Sequence, residues 1–393
     1  MARIVIVGGG FAGLTTALSL ESYTWKGERP EILLIDSSER FVFAPLLYEL
    51  ISGELKNWEV APRFEELLEN SQIHYKQATV EGIDLDNRKV HLSDGTAESY
   101  DSLALTAGGV TPVDFVLGAR EFALPFRAFA DAQTLIARLK SALESGADPV
   151  RIALVGGGAS GVELACKLAD VLKLKASITL FDREKEILNE FGAPAQTYAR
   201  KELKDRNIRL SLETKILSVN SDGLTLQALG REQEMLPFDI VLWTVGTAVP
   251  ALVKALDVPK DATGRLKVEP TLQLSGYPEV FAYGDLAAVL DDKGQSIGST
   301  AQSAYQEGQF AAWNIWATLE KRPLLNFRYT SLGQILGLGI DGGFASLLGL
   351  QVSGKPAYVL RRLVYLLRMP TPEQRLKVAL NWAADPLVRW LDR

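Results

Sequence analysis

The sequence predicts an α/β protein made of two parallel-sheet domains of the same design, followed by an amphipathic tail. Three observations predict it. The chain is 393 residues long, more than one compact core usually holds, which implies two domains of roughly 100–200 residues. A strand, glycine turn, helix and strand unit occurs twice, at residues 3–36 and 151–182. Charge is unevenly placed: residues 321–393 carry 11 Lys+Arg against 4 Asp+Glu, although the whole chain stands at −6.

Composition removes several alternatives. With 47% hydrophobic and 23% charged residues, disordered and fibrous classes are excluded. The single cysteine, Cys166, rules out an internal disulfide, a CxxC redox pair and a cysteine zinc site, and reads as a packing residue. Two histidines, His74 and His91, leave little for histidine-based metal or triad chemistry, and no metal site is expected. No long run of uncharged apolar residues is present, so no transmembrane helix is expected. The N-terminus opens straight into a strand pattern, so neither a signal peptide nor an oxidising compartment is expected.

The first unit reads RIVIV over residues 3–7, GGGFAGL, a helix including Thr15 to Leu20, and EILLID ending at Asp36. The second reads RIALV over 151–155, GGGASGV, a helix including Glu163 to Leu172, and SITLFD ending at Asp182. Each element has a physical reason. The first glycine of each motif, Gly8 or Gly156, makes the tight turn from strand to helix. The second, Gly10 or Gly158, lets backbone approach a pyrophosphate, and the third, Gly13 or Gly161, lets the helix pack on the strand. The helix N-terminus offers free N–H groups to the phosphates. Asp36 and Asp182, 23 and 21 residues beyond the last glycine, are placed to accept from ribose hydroxyls. Two copies in register predict two dinucleotide sites on Rossmann-like domains.

Between the units, residues 73–106 alternate like a small sheet with turns at Asp86-Asn87 and Ser93-Asp94-Gly95. An apolar strand then runs into Ala107-Gly108-Gly109, and its counterpart after the second unit ends at Gly246. A further apolar strand ends in Gly284-Asp285. In the tail, glycines and Asp341 interrupt an apolar stretch, which reads as a hairpin turning at Asp341-Gly342. Next come Val359, Leu360, Leu363, Val364, Leu366 and Leu367 interleaved with Arg361, Arg362 and Arg368, then a segment bearing Trp382 and Trp390. Such helices fit the interfacial plane of an anionic membrane, or a dimer interface, a soluble cap or a merely solvated face.

Taken together, these motifs resemble the two-dinucleotide-binding-domain flavoproteins over roughly residues 1–320. The resemblance implies an FAD domain from residues 1–112 and 264–325, an NAD(P)H domain from 113–263, and a membrane-associating region at 326–393. Members that use cysteines beside the flavin are poor matches, since FVFAPLLYELISGEL at 41–55 has none. The chain is most similar to the type II NAD(P)H:quinone dehydrogenases, and to their cyanobacterial and plastid branch. The matching segments are Phe43-Ala44-Pro45-Leu46-Leu47, Glu163, and AQSAYQEG with Ala301, Gln302, Gln306 and Glu307.

That likeness implies a non-proton-pumping flavoenzyme passing hydride from NAD(P)H to FAD and two electrons to a membrane quinone. FAD would be held by Gly8, Gly10, Ala12, Gly13, Asp36, Pro45, Leu46, Ala107, Gly108, Asp285, Ala301 and Gln302. NAD(P)H would be held by Gly156, Gly158, Gly161, Glu163, Asp182 and Gly246. Glu163 would gate hydride transfer or relay protons, and Gln302 and Gln306 would face the quinone. On the residues alone, Glu163 reads as a first-turn helix residue favoured by the dipole, and the glutamines as helix surface on one face. Asp182 favours NADH, while Arg183 leaves NADPH open. The resemblance further implies a homodimer seated on the cytoplasmic side of an inner or thylakoid membrane, without nucleic acid. The competing functions are a reductase of a soluble or protein acceptor and a redox-sensing NAD(P)H-binding flavoprotein.

Overall fold

The computed structural model describes residues 1–391 apart from Ala147, Asp292 and Leu348, and gives no side-chain surroundings for Asp385–Leu391, Trp390 included. The chain divides into two compact units. The first comprises Met1–Phe43, Ala61–Val110 and Thr247–Ser331, and the second Ala44–Val60, Thr111–Gly246 and the chain from Leu332 onward.

The first unit is built on a six-stranded sheet in the order Gln273–Leu274, Tyr277–Ala282, Ser102–Leu105, Arg3–Val7, Glu31–Asp36, Ile73–Gln77. Its pairings are parallel apart from the short hairpin at Gln273–Leu274. Ile4, Val5 and Ile6 are fully buried, as expected of a central parallel strand covered on both faces. The helix Phe11–Ser22 begins immediately after Gly10 and packs on the helix Ala301–Leu319. Gly308 marks the closest approach, where a Cβ would stand 2.5 Å from the Ala12 carbonyl oxygen. The alternating stretch after residue 73 splits. Val80–Asp84, Lys89–Leu92 and Ala97–Ser99 form an antiparallel sheet with turns where the sequence places them, whereas Ile73–Gln77 and Ser102–Leu105 join the parallel sheet. Ile73–Gln77 is the edge strand of that sheet, with Ile73 buried and His74 and Gln77 exposed.

The second unit repeats the design with a five-stranded parallel sheet. Its order is Arg209–Ser211, Ala176–Phe181, Val150–Val155, Ile240–Trp243, Leu124–Pro125. In both units the strand leading into the glycine motif is flanked by the acid-tipped strand and the closing strand. An antiparallel sheet follows, made of Thr214–Asn220, Gly223–Ala228 and Gln233–Pro237.

The division departs from the three-part reading of the sequence in three places. Residues 332 onward are part of the second unit, and so is 44–60. The tail forms the expected hairpin, Gln334–Gly337 with Gly343–Leu347 about the Asp341-Gly342 turn, plus a third strand Leu350–Ser353. Its turn is clamped to the Ala159–Leu172 helix. Asp170 accepts the Ile340 N–H at 2.8 Å, and Arg206, paired with Asp170 at 2.7 Å, donates to the Leu338 carbonyl at 3.2 Å. Segment 44–60 is bound by the helix Pro372–Leu391, with Gln374 donating to the Trp58 carbonyl at 2.9 Å and Asn381 to Glu59 at 3.1 Å. The first unit resumes at Thr247 and not at 264, because Val110 and Ala248 exchange backbone hydrogen bonds of 2.8 and 2.9 Å. Among the described residues, no helix is long and apolar enough to cross a membrane.

Candidate functional site: paired cradles and a buried ionic cluster

The two glycine motifs fold almost identically. Gly8 and Gly156 adopt φ of +101° and +116°, conformations that L side chains rarely take. A Cβ on Gly13 would lie 1.8 Å from the Gly8 carbonyl oxygen, and one on Gly161 1.8 Å from that of Gly156, so both helices press directly on their turns. Gly10 and Gly158 are exposed and extended, and a Cβ on either would meet nothing within 4 Å. Each therefore leaves an open notch at a helix N-terminus, of the kind a pyrophosphate fills and a side chain would block.

Asp36 and Asp182 stand where the sequence puts them. Asp36 accepts the Gly9 N–H at 2.5 Å and the Ser38 N–H at 2.8 Å. Asp182 accepts the Gly157 N–H at 2.5 Å and the Glu184 N–H at 2.8 Å. Burial raises the Asp36 carboxyl above its ordinary value, while the two backbone bonds pull it down. Arg183 is exposed and turned to Glu184 at 3.3 Å.

A further pair escaped the sequence reading. Thr106 donates to the Val7 and Gly8 carbonyls at 2.9 and 2.8 Å, and Thr244 to those of Val155 and Gly156 at 3.0 and 3.3 Å. Each threonine stands two residues before a left-handed glycine, Gly108 at φ +65° and Gly246 at φ +69°. The recurrence of Thr-x-Gly immediately after both closing strands was the available signal.

In the first unit, Asp285 follows Gly284, whose N–H is accepted by Glu307 at 2.6 Å. Burial pushes the Glu307 carboxyl up to about 7, with Asp285 adding to the rise and the Gly284 bond opposing it. Ala301 and Gln302 open the helix Ala301–Leu319, capped by Thr300. Gln302 accepts the Tyr329 hydroxyl at 2.8 Å, and Gln306 holds Thr330 by two backbone bonds of 2.9 and 3.1 Å. The two glutamines do share a helix face, and that face is braced against residues 329–330.

In the second unit, Pro45 and Leu46 form a short turn leading into the helix Tyr48–Ser52, in the same unit as Glu163 and not in that of the first glycine motif. Glu163 is not in a first helical turn: its helix starts at Ala159, so the dipole account of it falls away. Its carboxylate is buried, accepts the Gly337 N–H at 2.5 Å and lies 4.0 Å from the Arg361 guanidinium. Arg361 is itself buried, ion-paired with Glu49, and donates to the Pro45 carbonyl at 2.5 Å. Burial pushes Glu163 up to about 7, against Arg361 and the Gly337 bond. Burial also acts to raise Glu49, but Arg361 and Lys167 outweigh it and hold that carboxyl below its ordinary range. Nothing in the sequence singled out Arg361 as inward-facing, since it lies beside Arg362 and near Arg368 in an amphipathic helix.

Comparison with known proteins now decides the family. Residues 2–308 match the pyridine nucleotide-disulphide oxidoreductases. Over 99% of its length the chain is 45% identical to 97% of demethylphylloquinone reductase NdbB from Synechocystis sp.. The chain belongs to this oxidoreductase family, in its type II NAD(P)H:quinone branch. It is also 36% identical, over 98% of its length and 81% of the relative, to an alternative NAD(P)H-ubiquinone oxidoreductase C1 of Arabidopsis thaliana. The structure of NDH2 from Plasmodium falciparum in complex with NADH superposes with a TM-score of 0.86, covering 98% of both chains at 18% identity, which establishes a shared fold.

The disulphide in the family's name has no counterpart in this oxidoreductase. Cys166 is its one cysteine and is buried, and burial pushes its thiol up to about 12, which leaves it no thiolate character.

Proposed function

We propose that the protein is an FAD-dependent, non-proton-pumping NAD(P)H:quinone oxidoreductase. The observation that carries the reading is the presence of two matching open cradles, at Gly10 and Gly158, in one chain of this family. The first unit holds FAD, with Gly8, Gly10, Ala12 and Gly13 at the pyrophosphate, Asp36 at the ribose, and Ala107, Gly108 and Asp285 nearby. The second holds NAD(P)H through Gly156, Gly158, Gly161, Asp182 and Gly246. The chemistry that FAD would supply there is two-electron exchange, from hydride of the nicotinamide to a quinone that takes up two protons to become quinol.

The protein's own groups bind, orient and manage protons. Glu163, held near neutral ionisation in a buried setting, holds or releases a proton. Gln302 offers its amide toward the quinone, and Gln306 braces the segment beside it. Asp182 accepts from the 2′-hydroxyl and favours NADH, and the turning of Arg183 toward Glu184 supports that preference.

The same reading places the protein peripherally on a membrane, on its cytoplasmic side and as a homodimer. Val359, Leu363 and Leu367 form a stripe of one helix face, 54%, 54% and 68% exposed, and Leu376 and Leu380 repeat it at 61%. A lipid interface would cover these leucines while the basic tail meets anionic headgroups.

Oxidation of NADH and of NADPH by the FAD-loaded protein, with and without a short-chain quinone, tests the proposal. Fast quinone-dependent turnover with NADH preferred is expected. Flavin reduction without it would instead favour a protein-acceptor reductase or a redox sensor. In stopped-flow traces Gln302→Leu should slow quinone turnover more than flavin reduction, and equal loss would remove Gln302 from the quinone side.

A further inference from the structure

Resting on the reading of Glu163 as a proton-holding group, we propose that the buried Arg361–Glu49 ion pair is a positioning device that fixes Glu163 and sets the charge it carries. Arg361 projects inward from the helix Lys355–Leu367 and is 1% exposed. One guanidinium nitrogen donates to Glu49, and another donates to the Pro45 carbonyl at 2.5 Å and lies 4.0 Å from Glu163. Gly337, whose N–H binds Glu163, has no side chain because the guanidinium occupies that space: a Cβ there would lie 3.1 Å from the Arg361 Cζ.

The pair is a poor device for stability alone. Removing two charges from water costs about as much as their attraction returns, and an apolar pair of like volume would serve as well. Arg361 Nε and Glu49 Oε2 are moreover buried without hydrogen-bond partners. What an apolar pair cannot supply is a fixed field at a neighbouring carboxylate.

The groups facing Glu163 limit what else sets that field. Tyr48 and Glu49 come from the helix Tyr48–Ser52, Cys166 and Lys167 from the helix of Glu163 itself, and Arg361 and Tyr365 from Lys355–Leu367. Lys167 is already ion-paired with Glu54, which also accepts the Tyr358 hydroxyl at 2.9 Å. Arg361 thus favours the ionised form of Glu163 and Glu49 opposes it, so the two partners act with opposite sign.

The opposite signs give the test. The pH profile of quinone-dependent turnover is measured on the FAD-loaded protein, together with infrared titration of its buried carboxyl band, for E163Q, R361M, R361K, E49Q and the double variant E49Q/R361M. E163Q should lose the limb near neutrality and the Glu163 part of the band, leaving the part that belongs to Glu307. R361M should move the midpoint up, and E49Q down, each by about one pH unit. R361K, which keeps the charge, should stay near the wild type, and the double variant should return toward it. A purely structural pair would shift both single variants the same way, or neither, and that result overturns the proposal. If R361M does not fold for want of a partner to Glu49, E49Q and the double variant still carry the sign test. If E163Q leaves the band undiminished and the limb in place, the reading of Glu163 is wrong and the proposal falls with it, a result distinct from failure of the pair.

Discussion

Three glycines in each unit are conserved in geometry for different reasons, and single methyl groups separate them. Gly158 has an ordinary φ of −73° and open space around its missing Cβ, so an alanine there fits the protein and intrudes only on a bound pyrophosphate. Gly161 has a carbonyl oxygen 1.8 Å away, so an alanine must push the helix off its strand. Gly158→Ala should keep the wild-type melting temperature while raising KM for NADH at least about tenfold, equivalent to about 1.4 kcal/mol. Gly161→Ala should cost about 3 kcal/mol of stability, in the range of overpacked cores. Thermal melts and steady-state kinetics check both, and a destabilised Gly158→Ala would show that this notch is structural. Asp182 belongs at the same scale. Asp182→Ser should lower the NADH-to-NADPH ratio of kcat/KM by about tenfold if its carboxylate repels a 2′-phosphate, and an unchanged ratio would move coenzyme choice elsewhere.

At the scale of elements, the helix Lys355–Leu367 inverts the usual rule. Val359, Leu363 and Leu367 face outward and Arg361 faces in, so the apolar stripe is available to a lipid surface while the opposite face serves the buried cluster. Leu363→Glu together with Leu367→Glu should reduce partition onto anionic vesicles about tenfold without loss of helical circular dichroism, since neither side chain is buried. Unaltered sedimentation with vesicles would show that this face does not meet lipid.

The same helix marks the limit of what the sequence discloses. The glycine motifs, their acids and the Asp341-Gly342 turn are local patterns, and each stands where its spacing puts it. The inward Arg361 is not local: its partners Glu49 and Pro45 are 312 and 316 residues away, and nothing in a 3.6-residue period distinguishes it from Arg362. Domain membership of 44–60 and of the tail was hidden for the same reason, being set by ion pairs such as Lys167–Glu54 and side-chain bonds such as Gln374 to the Trp58 carbonyl.

On the scale of the whole molecule, the described residues of each unit include one buried carboxyl pushed up to about 7, Glu307 in the first and Glu163 in the second. Glu307 stands one residue past Gln306 in a segment that otherwise drew notice for its glutamines, and it accepts the backbone N–H of Gly284. Both shifts have a consequence for stability. From an ordinary value of 4.5, a rise to about 7 means that the folded state binds the proton more tightly than the unfolded chain. Stability from each group is then full below pH ~4.5, falls as pH rises toward 7, and is flat above it, by about 3 kcal/mol per group. Glu307→Gln keeps an acceptor for the Gly284 N–H but cannot ionise. Its melting temperature should therefore fall less than that of the wild type between pH 5 and pH 8. Glu163→Gln should act likewise. Because each carboxyl answers to groups of its own unit, the double variant should combine the two effects additively. Differential scanning calorimetry at pH 5, 6, 7 and 8 on the four proteins reads this directly. A wild-type slope in Glu307→Gln would mean that its carboxyl ionises without penalty, through a contact beyond the Gly284 bond.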